Sequence, residues 1–432
     1  MTILSKAGLV GGFRNGRSGF ARLAGFGLSV AILGVAALLA IPAMVAASGP
    51  VAWGAIAVGQ VIGLVASFIV TYGWKLSGPA KIARGDATER RREYGLSLRV
   101  RLTLIVPVGA LATLFSCVVA HENPRFAAAG AVSAVTIGLS GDWYFAGAAM
   151  PFMMLLLETL PRAAGILVGV AMMRAGHSAV IGLAWTTLGM LSAFALVTVW
   201  VYMSTSHAGA ATCPKTRLSA AFREQASSTV PGLVSAVYLA VPISIVSLVA
   251  PTALPTFALA DKINRQFSQG LAPIITVLQG WVPKSEGAEL AHRARYVFFM
   301  VCALGLALAG GLAFAGPVLF GWLGNGQIAS PRSVQVITAI LIGAYLVDQS
   351  LGRVVLVAFD RIGVIARASI VSAAVGLPLV LAGAFVFDAA GALLGVLAGL
   401  LVRIAIELAG TNSRGRQLLL SGAGASAAGA GR

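Results

Sequence analysis

Apolar stretches of about twenty residues recur along the whole chain, and their length restricts what the chain can fold into. A helix of that length crosses the hydrocarbon core of a bilayer and satisfies its own backbone hydrogen bonds there. About twelve such stretches can be drawn, at approximate positions 20–46, 50–74, 100–120, 126–148, 150–173, 178–202, 229–250, 255–283, 296–316, 333–358, 368–387 and 391–410. The sequence therefore predicts an all-α polytopic membrane protein with about 12 transmembrane helices.

Charged residues are scarce, and most of those present are basic. Only 10% of the 432 residues are charged and 58% are hydrophobic, whereas soluble proteins carry about 25% charged residues. The net charge of +17 would suggest nucleic-acid binding in a soluble chain. In a membrane protein, however, Lys and Arg are concentrated on the cytoplasmic side. We therefore expect the lipid bilayer, and no nucleic acid, as a partner.

The basic residues are unevenly divided between the two sets of links that join the predicted spans. An even number of spans puts both termini on one side, and most of the 31 Lys and Arg residues fall there. The link after the second span alone holds Lys75, Lys81, Arg84, Arg90, Arg91, Arg92, Arg99 and Arg101. The opposite side has Arg125, Arg174 and Arg332. The positive-inside rule thus predicts that both termini are cytoplasmic and that the protein is a multi-pass protein of the plasma (inner) membrane.

A polar link rich in Ser, Thr and Ala falls at the midpoint of the chain, with six predicted spans on either side. Two halves of equal orientation are typical of parallel repeats about an axis along the membrane normal. We expect an N-terminal six-helix lobe at 1–205, a cytoplasmic linker at 206–228 and a C-terminal six-helix lobe at 229–410. The tail at 411–432 ends in a Gly/Ala/Ser-rich run and is predicted to be disordered and cytoplasmic.

The predicted span at residues 255–283 has a strongly polar face. On a helical wheel, an arc of about 160° carries Asp261, Lys262, Arg265, Gln266, Ser268, Gln269, Thr276 and Gln279. A charged group at the bilayer centre costs about 2.5–3.5 kcal/mol on insertion scales, so this face should line water or protein rather than lipid. We interpret it as the wall of a cavity.

Several charged residues inside the predicted spans lie four positions from a residue of opposite charge. At this spacing two side chains meet on one face of a helix. The pairs are Glu158 with Arg162, Asp261 with Arg265, and Arg403 with Glu407. For each pair, a purely structural role and a role in lining the cavity both remain open.

Lys262 and Arg353 have no acid three or four positions away. Either side chain could snorkel toward an interface, but surplus positive charge inside the membrane also suits an anionic substrate. The candidate substrate-binding residues are Lys262, Arg265, Gln266, Gln269, Arg162 and Arg353. The candidates for ion coupling are Asp348, the better of the two, and Asp261.

The sequence contains no motif that indicates catalysis. Neither GxxxxGKS nor GxxxxGKT occurs, so we expect a transporter without ATPase activity rather than an enzyme. The four His and three Cys residues are scattered without metal-ligand spacing, so no metal, cofactor or catalytic residue is predicted. A membrane polymerase or glycosyltransferase would need a sizeable loop, and the outer loops are short. A catalytically silent scaffold remains an open alternative.

Five segments carry a resemblance to a known family. They are YGWKLSGPAKIARGD (72–86), GDWYFAG (141–147), FALADKI (257–263), LQGWVPK (278–284) and FDAAGALLGVLAGLL (387–401). In their order and spacing, over nearly the whole chain, they resemble the Wzx-type polysaccharide flippases of the multidrug/oligosaccharidyl-lipid/polysaccharide (MOP) exporter superfamily. Lys262 matches the lysine of the family pattern, and Asp261 stands where the family has glutamate.

The resemblance implies a V-shaped, MATE-like pair of lobes around a central cavity. Such a protein flips a polyprenyl-pyrophosphate-linked glycan across the membrane by alternating access, for envelope or exopolysaccharide biosynthesis. Cationic side chains in the cavity are expected to hold the pyrophosphate or acidic sugars. Its expected partners are a polysaccharide polymerase and glycosyltransferases, and its driving force is a proton gradient, a sodium gradient or the membrane potential. The alternative is a MATE-like cation-coupled antiporter for drugs or small molecules, which would need acidic residues deep in a lobe.

Overall fold

The structure, a computed structural model, describes residues 11–205, 218–282 and 287–429. Every regular element within these ranges is helical. The α-helices are α1 (Gly11–Thr71), α2 (Trp74–Arg84), α3 (Ala87–Val119), α4 (Pro124–Val135), α5 (Asp142–Ala148), α6 (Pro151–Met154), α7 (Leu160–Arg174), α8 (Ala179–Ser204), α9 (Leu218–Val249), α10 (Leu254–Trp281), α11 (Gly287–Leu323), α12 (Arg332–Ser350) and α13 (Ile362–Gly429). Shorter elements are the 3₁₀ turns Thr136–Leu139 and Pro251–Ala253 and the π-helices Leu155–Thr159 and Leu351–Leu356.

Among the described residues, 7 helical segments are long and apolar enough to cross a membrane. Two of them, Gly25–Arg84 with 60 residues and Ile362–Thr411 with 50 residues, each contain a pair of predicted spans. A straight helix of the greater length would measure about 90 Å, three times the thickness of the hydrocarbon core. The fold class is therefore confirmed: the chain is an all-α polytopic membrane protein.

Sharp bends divide the two longest helices near the predicted ends of spans. Gly49 in α1 has φ 83° and ψ 167°, a conformation that glycine adopts without strain because it has no Cβ. Pro50 follows at the first position of the next helical stretch, where its missing N–H costs nothing. In α13 the bend falls at Phe387 and Asp388, and Asp388 has φ 52° and ψ −135°.

The chain divides into two compact units, unit 1 (Met1–Ala240) and unit 2 (Val241–Arg432). Part of the predicted linker, residues 206–217, lies outside the described residues. The rest of the predicted linker is helical, since α9 begins at Leu218 and continues without interruption to Val249. The predicted end of the eighth span, Pro283, also lies outside the described residues.

The end of the chain differs from its prediction. The helix of α13 continues to Gly429, through most of the predicted disordered tail. The residues after Gly410 include Leu, Ala, Arg and Gln, which have high helix propensity, and no proline. An existing helix also extends without a new nucleation step. Residues 430–432 lie outside the described residues.

In unit 1, helices approach closely at small residues. A Cβ added to Gly165 on α7 would lie 2.7 Å from the Cα of Gly189 on α8, so only glycine allows this approach. Such contacts are how helices associate in lipid, where apolar side chains gain little by leaving the solvent.

The predicted fourth span is broken in the middle. α4 ends at Val135, a 3₁₀ turn follows, and Ser140 and Gly141 are not helical before α5 begins. The break leaves backbone carbonyls and N–H groups without helical partners inside the unit, and these groups need other partners.

In unit 2, α10 buries part of the apolar side predicted from its wheel, while Val277 and Trp281 on that side are exposed. Ile263, Ile275 and Leu278 are buried, and the last two pack in a core with residues of α11, α12 and the second π-helix. Asn264 is the polar exception on this side: it is buried, and its Oδ1 accepts no hydrogen bond from the described residues.

Candidate functional site

The polar face of α10 carries its charges within little more than one turn. Asp261, Lys262, Arg265 and Gln266 are half-buried, and Gln269 is exposed. α10 has 28 residues, which gives a length of about 42 Å, enough to cross the hydrocarbon core. The predicted polar residues therefore lie on one continuous helix, and their role as the wall of a cavity stays a prediction.

Asp261 and Arg265 form the predicted pair. Nε of Arg265 lies 2.7 Å from Oδ2 of Asp261, and the two side chains are 16% and 21% exposed respectively. A close, partly buried pair of this kind holds both charges in place. Asp261 is therefore engaged with a cation of its own helix, which makes it the weaker candidate for ion coupling.

A small pocket of about 40 Å³ lies between α10 and α12 in unit 2. Its polar lining comes from Ser268 of α10, Tyr345 and Gln349 of α12, and Arg353 of the second π-helix. The side chain of Arg353 is exposed, and the described residues place no carboxylate within ion-pair distance of it. Arg353 thus brings a cation to the pocket, within electrostatic reach of the buried Asp348.

The π-helix that carries Arg353 follows α12 directly. Residues Leu351–Leu356 form a wider turn than an α-helix, and the Arg353 carbonyl accepts a hydrogen bond from Nε2 of Gln279 at 3.3 Å. π-Helical turns inside α-helices occur frequently at functional sites. The turn therefore joins α12 to the polar face of α10 at the pocket.

Asp348 is buried against the last helix. Nε of Arg403 lies 3.0 Å from Oδ1 of Asp348 and 3.2 Å from Oε1 of Glu407. Both carboxylate side chains are 0% exposed, whereas Arg403 is 23% exposed. The predicted pair of Arg403 with Glu407 is confirmed, and the structure adds Asp348 as a second acid on the same guanidinium.

The two acids of unit 2 lack hydrogen-bond donors. Within the described part of the chain, neither oxygen of Asp348 accepts a hydrogen bond, and neither does Oε2 of Glu407. Gly352 makes room for Glu407, because a Cβ at this position would lie 3.3 Å from Oε1. The Asp348–Arg403–Glu407 cluster is thus buried, ionic and incompletely satisfied.

In unit 1 the predicted pair of Glu158 with Arg162 is present, in and beside the first π-helix. Oε1 of Glu158 accepts hydrogen bonds from Ser140 Oγ at 2.6 Å and from Arg162 Nη1 at 3.2 Å. Its Oε2 accepts one from the Gly141 N–H at 3.2 Å. Glu158 therefore satisfies the break in the fourth span, and Arg162 forms an ion pair with Glu158 in unit 1.

Arg101 was assigned from the sequence to a cytoplasmic link, and that assignment is wrong. Its side chain is fully buried in α3. Nε donates to Ser97 Oγ at 2.8 Å, and Nη1 donates to the carbonyls of Leu139 and Ser140, each at 2.9 Å. The guanidinium also lies 5.4 Å from the centre of the Trp143 ring. The carbonyls freed by the broken span accept the hydrogen bonds that water would accept from an exposed Arg101. In the sequence, only Ser97, one turn earlier on the same helix face, indicated a local partner for a buried Arg101.

Among the described residues, no group of three or more His, Cys, Asp or Glu side chains could hold a metal ion. The ionisable residues described above instead form four arrangements: the α10 face with Arg353, the Asp348 cluster, the Glu158 cluster, and Arg101 at the break in the fourth span.

Comparison with known proteins gives a structural answer only. No family model and no curated protein matches the sequence. The structure is similar to an inward-facing multidrug resistance MATE family transporter of the MOP superfamily, with TM-score 0.63 and 15% identity over 89% of this chain and 95% of that one. It is also similar to a MATE structure in the bent conformation, with TM-score 0.56 and 14% identity over 93% and 96% of the two chains. The chain thus has the fold of the MATE transporters of the MOP superfamily.

Proposed function

We propose that this protein flips a lipid-linked oligosaccharide across the plasma (inner) membrane by alternating access, as a Wzx-type flippase does for envelope or exopolysaccharide biosynthesis. The fold is shared with transporters solved in inward-facing and bent conformations, which supports a mechanism with alternating conformations. A polysaccharide polymerase and glycosyltransferases are the partners that this role implies.

The observation that carries the proposal is the charge of the α10 face and its neighbouring pocket. Lys262, Arg265 and Arg353 place three cations there against the single carboxylate of Asp261. The other acids of the membrane part of unit 2, Asp348 and Glu407, form their ion pairs with Arg403, and Asp348 also lies within electrostatic reach of Arg353. A face with surplus positive charge is suited to a pyrophosphate and repels a cationic drug.

Moving a sugar pyrophosphate across the bilayer requires a polar path, and the cationic α10 face is suited to provide one. Sugars and pyrophosphate cannot cross hydrocarbon unaided, because burying polar and charged groups without partners is costly. The polyprenyl tail can stay in lipid while the headgroup follows a polar face. An inside-negative potential favours export of an anion, by about 2.3 kcal/mol per charge per 100 mV.

The test removes two cations and keeps the Asp261–Arg265 pair. The variant is Lys262→Gln with Arg353→Gln, and the control is Arg295→Gln with Arg367→Gln, which removes equal charge from two exposed positions. Flipping of a fluorescent polyprenyl-pyrophosphate oligosaccharide is measured in proteoliposomes. We expect a loss of about a hundredfold in the variant, because hydrogen bonds to charged groups contribute about 1.5–3 kcal/mol each. Equal flipping by the variant and the control would overturn the cavity role.

A second candidate function is a cation-coupled antiporter for drugs. The buried acids Asp348 and Glu407 favour it, since such a transporter needs carboxylates deep in a lobe. Drug susceptibility and dye efflux in cells with and without the protein separate the two functions. Resistance and efflux without glycan flipping would select the antiporter.

A further inference from the structure

We propose that a groove between α3 and α4 in unit 1 binds one acyl chain of an anionic phospholipid, and that Arg99 and Arg92 hold the phosphate of its headgroup. None of the residues concerned belongs to the α10 face, so this lipid site does not depend on the proposed glycan function. Binding can be measured on the full chain with defined lipids.

The groove is an open cavity on the surface of unit 1, with a volume of about 530 Å³. α3 contributes side chains between Ile105 and Leu114, and α4 with the 3₁₀ turn after it contributes Val132, Val135 and Thr136. Pockets that bind small molecules have volumes of about 300–1,000 Å³. The groove is therefore large enough to hold part of a ligand.

The lining of the groove suits a hydrocarbon chain. Its two hydroxyl groups already have acceptors: Thr113 Oγ1 donates to the Gly109 carbonyl and Thr136 Oγ1 donates to the Ser133 carbonyl, each at 2.8 Å. The other lining residues are apolar. A water molecule in a cavity needs about two to four polar partners, and a sugar needs more, so neither is suited to this groove.

The length and surroundings of the groove favour an acyl chain over a polyprenyl chain. From Ile105 to Leu114, α3 rises about 14 Å, which is close to half of the hydrocarbon core of about 30 Å. A chain confined to one leaflet has this length, whereas a polyprenyl chain is longer. The exposed side chains at and beside the groove include Val106, Leu111 and Phe115, and an exposed apolar patch of this kind is typical of contact with the membrane.

Arg99 lies on the same face of α3 as the groove. It precedes the first lining residue by six positions, a rise of about 9 Å. On a helix Arg99, Val106 and Ala110 fall within about 40° of arc, so the guanidinium and the groove lie in one line along α3. Arg92 extends this line by a further two turns, and both arginine side chains are exposed.

The charge at this end of α3 is complementary to an anionic headgroup. Glu93 lies between the two arginines in the sequence, but its Oε1 lies 3.5 Å from Nζ of Lys81 on α2. Each cation near a membrane surface attracts anionic lipid, and basic pockets between helices at the cytoplasmic side bind anionic headgroups. The positive-inside rule predicts that this end of α3 is cytoplasmic, so the expected lipid belongs to the cytoplasmic leaflet.

The groove also adjoins the break in the fourth span. Val135 is the last residue of α4, and Thr136 begins the 3₁₀ turn that leads to the break. An acyl chain in the groove contacts α3 on one side and this turn on the other, so it holds the two together. A ligand that binds only the folded state raises the stability of that state. Anionic phospholipid should therefore raise the unfolding temperature of the protein.

The first experiment tests the headgroup. The full chain in detergent micelles is titrated with phosphatidylglycerol or with phosphatidylcholine of the same chains, and bound lipid is counted by native mass spectrometry. We expect preferential retention of phosphatidylglycerol and an affinity about fivefold lower in Arg99→Gln, the effect of one cation at a membrane surface. Arg295→Gln, at an exposed position of α11, is the matched control that keeps the affinity. Equal binding of the two lipids, or an equal loss in the two variants, overturns the proposal.

The second experiment fills the groove. A Cβ at Gly109 would lie 3.6 Å from Val135 Cγ1, an ordinary contact, so Gly109→Leu places the rest of its side chain in the groove without a backbone clash. Gly310→Leu on α11, where a Cβ meets nothing within 4 Å, is the control. Ala110→Leu changes an exposed lining position and replaces Gly109→Leu if that variant folds poorly.

We expect both groove variants to lose the retained phosphatidylglycerol and the rise in unfolding temperature that it causes, and the control to keep both. Unchanged retention in the groove variants overturns the proposal. Retention of polyprenyl phosphate in place of phosphatidylglycerol, lost in the same variants, overturns the choice of a phospholipid. A change from dimer to monomer in the groove variants without a change in bound lipid makes the groove an interface between two copies of the chain and also overturns it.

Discussion

Each unit buries a carboxylate beside a π-helix, but the two sites differ in how that carboxylate is satisfied. Glu158 of unit 1 accepts three hydrogen bonds, from Ser140, Gly141 and Arg162. Asp348 of unit 2 accepts none among the described residues and shares Arg403 with Glu407. A satisfied buried carboxylate holds a structure together, whereas an unsatisfied one is available for a change of protonation. Burial alone therefore does not distinguish a structural acid from a functional one.

The two sites also differ in how many acids pair with each base. Glu158 and Arg162 are one acid and one base, so removing either leaves a charge without its partner. Asp348 and Glu407 both form ion pairs with Arg403, so Arg403 keeps a partner when either acid is removed. Substitutions at the two sites should consequently have opposite effects on stability, and this expectation can be tested by unfolding in mixed micelles.

The largest effect is expected for Glu158→Ala. The change strands Arg162 and removes the acceptor of Ser140 Oγ and the Gly141 N–H at the break in the fourth span. Breaking a buried pair by removing one partner costs about 3–5 kcal/mol, so the unfolding free energy should fall by that amount. The control is Glu93→Gln, whose loss should be below about 1 kcal/mol because Glu93 is partly exposed. Equal losses in both variants would contradict a structural role for Glu158.

The second largest effect is expected for Arg101→Met. This substitution tests whether the Arg101 side chain stabilises the break in the fourth span. The substitution retains most of the side-chain volume but removes the donors to the Leu139 and Ser140 carbonyls. An unsatisfied buried polar group costs about 1–3 kcal/mol, and loss of the buried cation offsets part of this cost, so we expect about 2 kcal/mol. Arg99→Met, at an exposed position of the same helix, is the matched control. If the unfolding free energies of the two variants differ by less than a few tenths of a kcal/mol, water satisfies the carbonyls in the variant.

The third largest effect is expected for Gly352→Ala. Gly352 lies in the π-helix of unit 2, and the substitution tests whether it sets the position of Glu407. The added Cβ would lie 3.3 Å from Glu407 Oε1, whereas a Cβ at Gly363 meets nothing within 4 Å. We expect Gly352→Ala to be less stable than the control Gly363→Ala by about 1 kcal/mol, the lower end of the cost of overpacking. Equal stability of the two variants would show that Gly352 does not set the position of Glu407.

The sequence was sufficient for features that depend on local spacing. The three i, i+4 pairs are present because residues four apart meet on any α-helix. The polar residues of α10 share one face, as the helical wheel predicts, because α10 is one continuous helix. Contacts between distant segments were not predictable: Arg101 reaches the Leu139 carbonyl 38 positions away, and Asp348 reaches Arg403 on another helix. The π-helices were also invisible, since a wheel drawn at a fixed angle assumes that no turn is wider than the others. The predicted contents of the cavity depend on such contacts, which is why the substrate residues remain proposals while the fold class is confirmed.

The smallest effect on stability is expected for Asp348→Asn. Arg403 retains its ion pair with Glu407 at 3.2 Å, so the substitution does not leave Arg403 without an ion-pair partner. Replacing one member of a buried ionic group by a neutral residue of similar volume is often neutral or stabilising. The unfolding free energy should therefore change by less than about 1 kcal/mol, or rise. A fall of several kcal/mol, as expected for Glu158→Ala, would instead make Asp348 a structural acid like Glu158, and the contrast between the two units would disappear.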